Sequence, residues 1–223
     1  MKFLTNLLFS SFFVLYFGSS AQAALADITR IFHEMPQLNQ FEICQGGGCA
    51  ESNQVAISET EWKNVAQIFK IKATNSADER LQISKAIGEL EQIVGAKNGT
   101  STDLAGTFDS GNIPGQLDCN DEAINSTTYM RLLKQKGLIQ LHEIEDTRTR
   151  DFFFTGWPHT TAVIHEIKTG ERYAVDSWFY DNGTSATIVP FAMWKSGYKP
   201  DDSPIGKPRT TKLANPKSKS PVN

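Results

Sequence analysis

The stretch DCNDEAINSTTYMRLLKQKG, residues 118–137, is followed at once by a change of hydrophobic period, and that change decides the fold. Asp118 stands where an N-cap belongs, since its carboxylate can accept from backbone N–H groups that a starting helix leaves unpaired. Ala123, Ile124, Thr127, Met130 and Leu132 or Leu133 form one apolar stripe at helical spacing. Lys134 and Lys136 lie where the helix dipole favours cations, and Gly137 is a natural terminator. Cys119 therefore opens a helix of about five turns. Beyond Gly137 the period falls towards two. Leu138, Ile139, Leu141 and Ile144 predict a strand, Thr160 to Ile167 a second and Arg172 to Phe179 a third, with Lys168-Thr169-Gly170-Glu171 as the hairpin turn. Ile188, Val189, Phe191, Met193 and Trp194 add one more strand or cover a sheet edge.

Upstream, Ser58 and Glu61 have capping-box spacing ahead of an apolar face of Trp62, Val65, Ile68 and Phe69. Ser76 and Glu79 have the same spacing ahead of Ile83, Ile87, Leu90 and Val94, and Gly95 with Asn98-Gly99 closes that helix. Helices first and antiparallel strands afterwards make an α+β plan. Residues 99–117 read as a Gly-, Ser-, Thr- and Asp-rich surface loop.

Four stretches follow along the 223 residues. Residues 1–23 read as a cleavable secretory signal: Met1-Lys2, an apolar run from Leu7 to Gly18 too short to span a bilayer, and Ala21-Gln22-Ala23. Residues 24–57 lack sustained periodicity and read as an N-terminal arm. Residues 58–198 form the main domain, and 199–223 a basic, proline-rich tail. The expected location is periplasmic or secreted, with no stable membrane insertion. Lys and Arg number 22 against 25 Asp and Glu, a net charge of -3, so no basic field exists to attract nucleic acid.

Export changes how the three cysteines read. Cys44 and Cys49 flank Gln45-Gly46-Gly47-Gly48, flexible enough to close a small disulfide loop. A zinc reading that adds His33 to this pair lacks a fourth ligand, so no metal and no cofactor is expected. Cys119 is left over: a buried inert thiol, a bridge to another chain, or a nucleophile. The first turn of a helix favours the thiolate. Downstream, His159 can take and return a proton, and Asp176 on the return strand can fix the imidazole tautomer.

Asp118-Cys119-Asn120-Asp121-Glu122-Ala123 resembles the nucleophile segment of the transglutaminase-like cysteine peptidases, a bacterial branch of the papain-like superfamily. In that family an Asp-Cys pair is followed by an acidic residue two on and Ala four on. Trp157-Pro158-His159 and Tyr173-Ala174-Val175-Asp176 are similar to its His and Asp strands. The resemblance implies a papain-like core, a nucleophile helix on an antiparallel sheet, and thiol chemistry on amides: peptide hydrolysis, amide hydrolysis or acyl transfer from glutamine. It assigns Cys119 as nucleophile, His159 as base and acid and Asp176 as orienter, acting on a peptide or protein substrate that includes cell-envelope material. Leu117 two before the Cys and Pro158 before the His depart from the glycines usual there.

Strand register tests this trio. A two-residue turn at Thr169-Gly170 would set Val163 opposite Asp176 and leave His159 four residues away, about 13 Å. A bulge, or a longer loop centred nearer Ile167, would bring them together. In the simple register His165 faces Ala174, diagonal to Asp176, and is the rival base. His142 reads as structural, and His33 has no visible partner. Gln116 and Trp157 are candidates for oxyanion and substrate contacts, while Trp178 reads as core. The alternatives in other classes are a noncatalytic module of this fold binding a peptide or cell-envelope partner, and an assembly protein bridged through Cys119.

Overall fold

The computed structural model describes residues 35–108, 113–151 and 158–208. The expected signal segment, His33, Trp157 and residues 209–223 of the tail lie outside the described residues. A two-stranded antiparallel hairpin, β1 (Phe41–Gln45) and β2 (Glu51–Val55), comes first. Three helices follow: α1 (Glu59–Ile68), α2 (Ser76–Asn98) and α3 (Cys119–Gln135). Then come β3 (His142–Arg150), β4 (His159–Glu166), β5 (Arg172–Asp176), β6 (Thr187–Pro190) and a short α4 (Phe191–Lys195). β3 to β6 form one antiparallel sheet in chain order. The class is α+β, and among the described residues no helix is long and apolar enough to cross a membrane.

The helix starts follow from their side chains, with one displacement. Ser58 and Glu61 complete a reciprocal capping box at α1. At α2 the cap is Asn75 rather than Ser76: its side-chain oxygen accepts from the Asp78 N–H at 2.9 Å. That frees Glu79, which is buried and accepts from the N–H groups of Gln140 and Leu141, each at 2.8 Å, while bonding His142 Nδ1 at 2.8 Å. Glu79 thus ties α2 to the link between α3 and β3, and His142 is placed structurally. The link takes up Leu138, Ile139 and Leu141, so the strand begins later than the apolar pattern implies.

Residues 41–55, expected as an arm without period, contribute Phe41, Ile43 and Val55 to the main core, beside Ile83, Ile87 and Leu90 of α2 and Met130, Leu132 and Leu133 of α3. Asn125 of α3 seals the joint: its amide donates to the Cys44 carbonyl at 2.9 Å and its oxygen accepts from the Cys44 N–H at 2.6 Å. After β6 the chain does both things its sequence allowed, since β6 lines the edge and α4 turns back over the sheet. Part of the expected tail is fixed as well. Ser203 is fully buried, its hydroxyl donating to the Phe179 carbonyl at 2.7 Å.

The β4–β5 register corrects the simple expectation. The connection spans residues 167–170, so Val163 pairs with Ala174 and Ala162 with Val175. A shift of two residues keeps every side chain on its face but carries Asp176 about 7 Å closer to the His159 end.

Gly88 lies in the interior of α2, where the turn at residues 183–184 presses on the helix. A Cβ there would stand 2.9 Å from the Thr184 main chain. Helix propensity alone favours alanine by about 1 kcal/mol, whereas overpacking against backbone costs about 1–3 kcal/mol. Gly88→Ala should therefore lower the urea midpoint; an unchanged or raised midpoint would show that the turn yields freely.

Candidate active site

Cys119 occupies the first helical position of α3, and its thiol is free and 8% exposed. Asp118 caps the helix, accepting from the N–H groups of Asn120 and Asp121, each at 2.9 Å. Asp121, buried in the same turn, grips the Gly-rich loop: Cys49 N–H donates to it at 2.7 Å and Gly47 N–H at 2.9 Å, while Gly48 N–H reaches Asp118 at 2.8 Å. Cys44 and Cys49 are joined as a disulfide that closes this loop. The N-terminal hairpin is thereby fastened to the turn that carries the thiol.

His159 opens β4, and Asp176 closes β5. In the observed register they are diagonal neighbours, and His159 Nε2 lies 2.7 Å from Asp176 Oδ2. Both are 2% exposed. The indole N–H of Trp194, on α4, donates to the same carboxylate oxygen at 2.7 Å. Three aromatic rings enclose the imidazole, with centroids at 4.5 Å for Trp178, 5.4 Å for Phe179 and 5.7 Å for Trp194.

Burial alone would push the imidazolium towards neutrality. The charge and hydrogen bond of Asp176 outweigh it, with Cys119 adding to both effects, and hold the His159 pKa up to about 9. Nδ1 is buried and lacks the hydrogen bond that a thiol–imidazole pair would make. Such bonds are commonly loose before substrate arrives. Cys119 also shares an apolar cluster with Ala174, Trp178, Phe179 and Trp194. This arrangement can store a proton on His159 beside a sulfur at a helix N-terminus.

The rival base is placed elsewhere. His165 pairs with Arg172 along the strand and its Nδ1 lies 3.1 Å from Glu145 Oε1, in an ion-pair group with Arg172. Gln116 is committed to bracing its own loop: its Nε2 donates to the Thr102 carbonyl at 2.8 Å, and its Oε1 accepts from Leu104 N–H and the Thr107 hydroxyl. Trp178 is buried, its indole N–H donating to the Thr107 carbonyl at 2.9 Å.

Sequence reasoning missed Trp194, Arg150 and a buried acidic group. Trp194 carried the only available signal, because a buried indole N–H requires an acceptor. The acidic group comprises Glu91 of α2, Asp103 of the loop and Glu122 of α3, all buried. Ser177, next to Asp176, donates to Glu122 at 2.5 Å, Leu117 N–H to Asp103 at 2.7 Å and Gly183 N–H to Glu91 at 3.1 Å. Burial, then the negative charge of Glu122, pushes Asp103 up to about 9; burial likewise raises Glu91 and, with the charge of Glu91, Glu122.

No protein family, no curated protein and no solved structure matches this chain. Among the described residues no group of three His, Cys, Asp or Glu is arranged to hold a metal ion.

The acidic group sets a pH dependence of stability. A carboxyl whose folded pKa is raised favours the fold when protonated, so its contribution is complete below about pH 4 and lost as pH rises towards the folded pKa. For Asp103 that loss extends to about pH 9. Asp103→Asn, which keeps the shape without the ionisation, should flatten the decline in Tm between pH 5 and pH 9. Parallel declines in the two proteins would show that Asp103 ionises no later in the fold than outside it.

Proposed function

We propose that this chain is an exported thiol enzyme resembling the transglutaminase-like cysteine peptidases, with a papain-like core, that cleaves or transfers peptide or glutamine-type amide bonds. The observation that carries the reading is the buried His159–Asp176 hydrogen bond, with Cys119 packed among the same Trp178, Phe179 and Trp194 rings that enclose the imidazole. The Cys44–Cys49 disulfide and the signal-like residues 1–23 support export to a periplasmic or extracellular location.

In this reading the Cys119 thiolate attacks the substrate carbonyl carbon, forming a C–S bond while the carbonyl electrons move onto oxygen. The Cys119 N–H, which the Asp118 cap leaves untaken at the start of α3, faces the resulting oxyanion. The tetrahedral intermediate collapses, the C–N bond breaks, and His159 gives its proton to the departing amine. Water or an acceptor amine, deprotonated by the now neutral imidazole, attacks the thioester and releases Cys119. Asp176 keeps Nε2 as the donor towards itself and so presents Nδ1 to sulfur throughout.

The low exposure of Cys119 and His159 favours one alternative, a noncatalytic module of the same fold that binds a peptide or cell-envelope partner. Trapping separates the two. With a p-nitrophenyl ester or a glutamine-containing peptide as acyl donor, intact-mass measurement should show one acyl group on Cys119. Cys119→Ala should abolish the adduct, and Asp176→Asn should slow its formation on the order of 10²–10⁴-fold. A folded wild-type protein that forms no Cys119 adduct with any of these donors would select the binding module.

A further inference from the structure

Arg150 ends β3 directly opposite His159 in the β3–β4 ladder. It is 8% exposed, and its guanidinium carbon lies 4.8 Å from the Trp194 ring centroid. Nη1 donates to two main-chain carbonyls, Trp194 at 2.6 Å and Tyr198 at 3.1 Å, clasping the last turn of α4 and the segment after it. Nε is buried without a hydrogen-bond partner. A guanidinium is costly to bury, and this one makes no direct ion pair with a carboxylate among the described residues. Burial lowers the pKa of this guanidinium, with Asp176 and then Cys119 opposing the lowering.

These contacts form a chain. Arg150 holds Trp194, Trp194 donates to Asp176, and Asp176 bonds His159. A residue serving only to fill this space would be apolar, whereas a buried cation supplies a field that favours anions nearby. We propose that Arg150 is a positioning residue for the thiol chemistry: it fixes Trp194 on Asp176, and so holds Asp176 against His159. The inference rests on the thiol-enzyme reading above and adds a residue that reading does not require. It also accounts for the cost of a buried arginine with an unpaired Nε, which fold stability alone leaves unexplained.

The test is the pH profile of Cys119 alkylation by iodoacetamide in the full chain, for wild type, Arg150→Met, Arg150→Lys and Trp194→Phe, with thermal melts alongside. Arg150→Met should lower the alkylation rate at pH 6 about tenfold or more and move the profile to higher pH, the result expected when Asp176 is no longer held against the imidazolium beside the thiol. Arg150→Lys keeps the charge but not the planar clasp, so its profile should lie between the two. Trp194→Phe removes the indole donor and keeps the cation, and should move the profile the same way by a smaller amount.

A folded Arg150→Met with the wild-type profile would overturn the proposal, whatever its melting temperature. Should that variant not fold, Arg150→Lys and Trp194→Phe decide: displaced profiles uphold the proposal, and two wild-type profiles overturn it. A wild-type thiol that reacts only near the free-thiol pKa of about 8.5 would instead remove the thiol-enzyme reading, and this inference with it.

Discussion

The site depends on where α3 begins. Asp118 accepts from the first free N–H groups, which fixes Cys119 in the first turn, and Asp121 takes two N–H groups of the disulfide-closed loop. Remove that pair of carboxylates and two things come loose together: the helix start that orients the thiol, and the loop of the N-terminal hairpin that is fastened to it. The price is electrostatic. Asp121 is buried beside Asp118, and burial, followed by the Asp118 charge, pushes its pKa up to about 6. Backbone N–H groups directed at the carboxylate offset part of that cost.

A second constraint is the length of the β4–β5 connection. Side-chain parity across two strands survives any even shift, but the diagonal reach of a histidine does not. With residues 167–170 in the connection, His159 meets Asp176 at 2.7 Å. The aromatic rings around the imidazole then exclude water. The attraction of Asp176 works at low dielectric, which is why the pair can outweigh the desolvation that opposes it.

Local signals carried far in this chain, and tertiary ones did not. The α1 and α3 caps, the apolar stripes of α2 and α3 and the α+β order were legible because capping and periodicity are short-range. The slip from Ser76 to Asn75 at α2 arose because Glu79 matched a capping pattern while its carboxylate served a partner sixty residues away in sequence. β2 was illegible because Glu51 to Gln54 are polar and partly or wholly exposed, so no alternation marks it, and the brief alternation of β1 had no visible partner strand. Cys119, His159 and Asp176 were nameable from residue type and order. Their contact was not, since it turns on two residues of loop length. Arg150 left no sequence trace, because its role comes from carbonyls contributed by a helix some forty residues later.

His159 keeps its proton because Asp176 and Cys119 together outweigh its burial. The most direct measurement is an NMR titration of the His159 ring nitrogens in the wild-type protein and in Cys119→Ser. Wild-type His159 should stay protonated to about pH 9, and its pKa should fall when the thiol is replaced. A ring that titrates near its ordinary value of about 6.5, equally in both proteins, would contradict it.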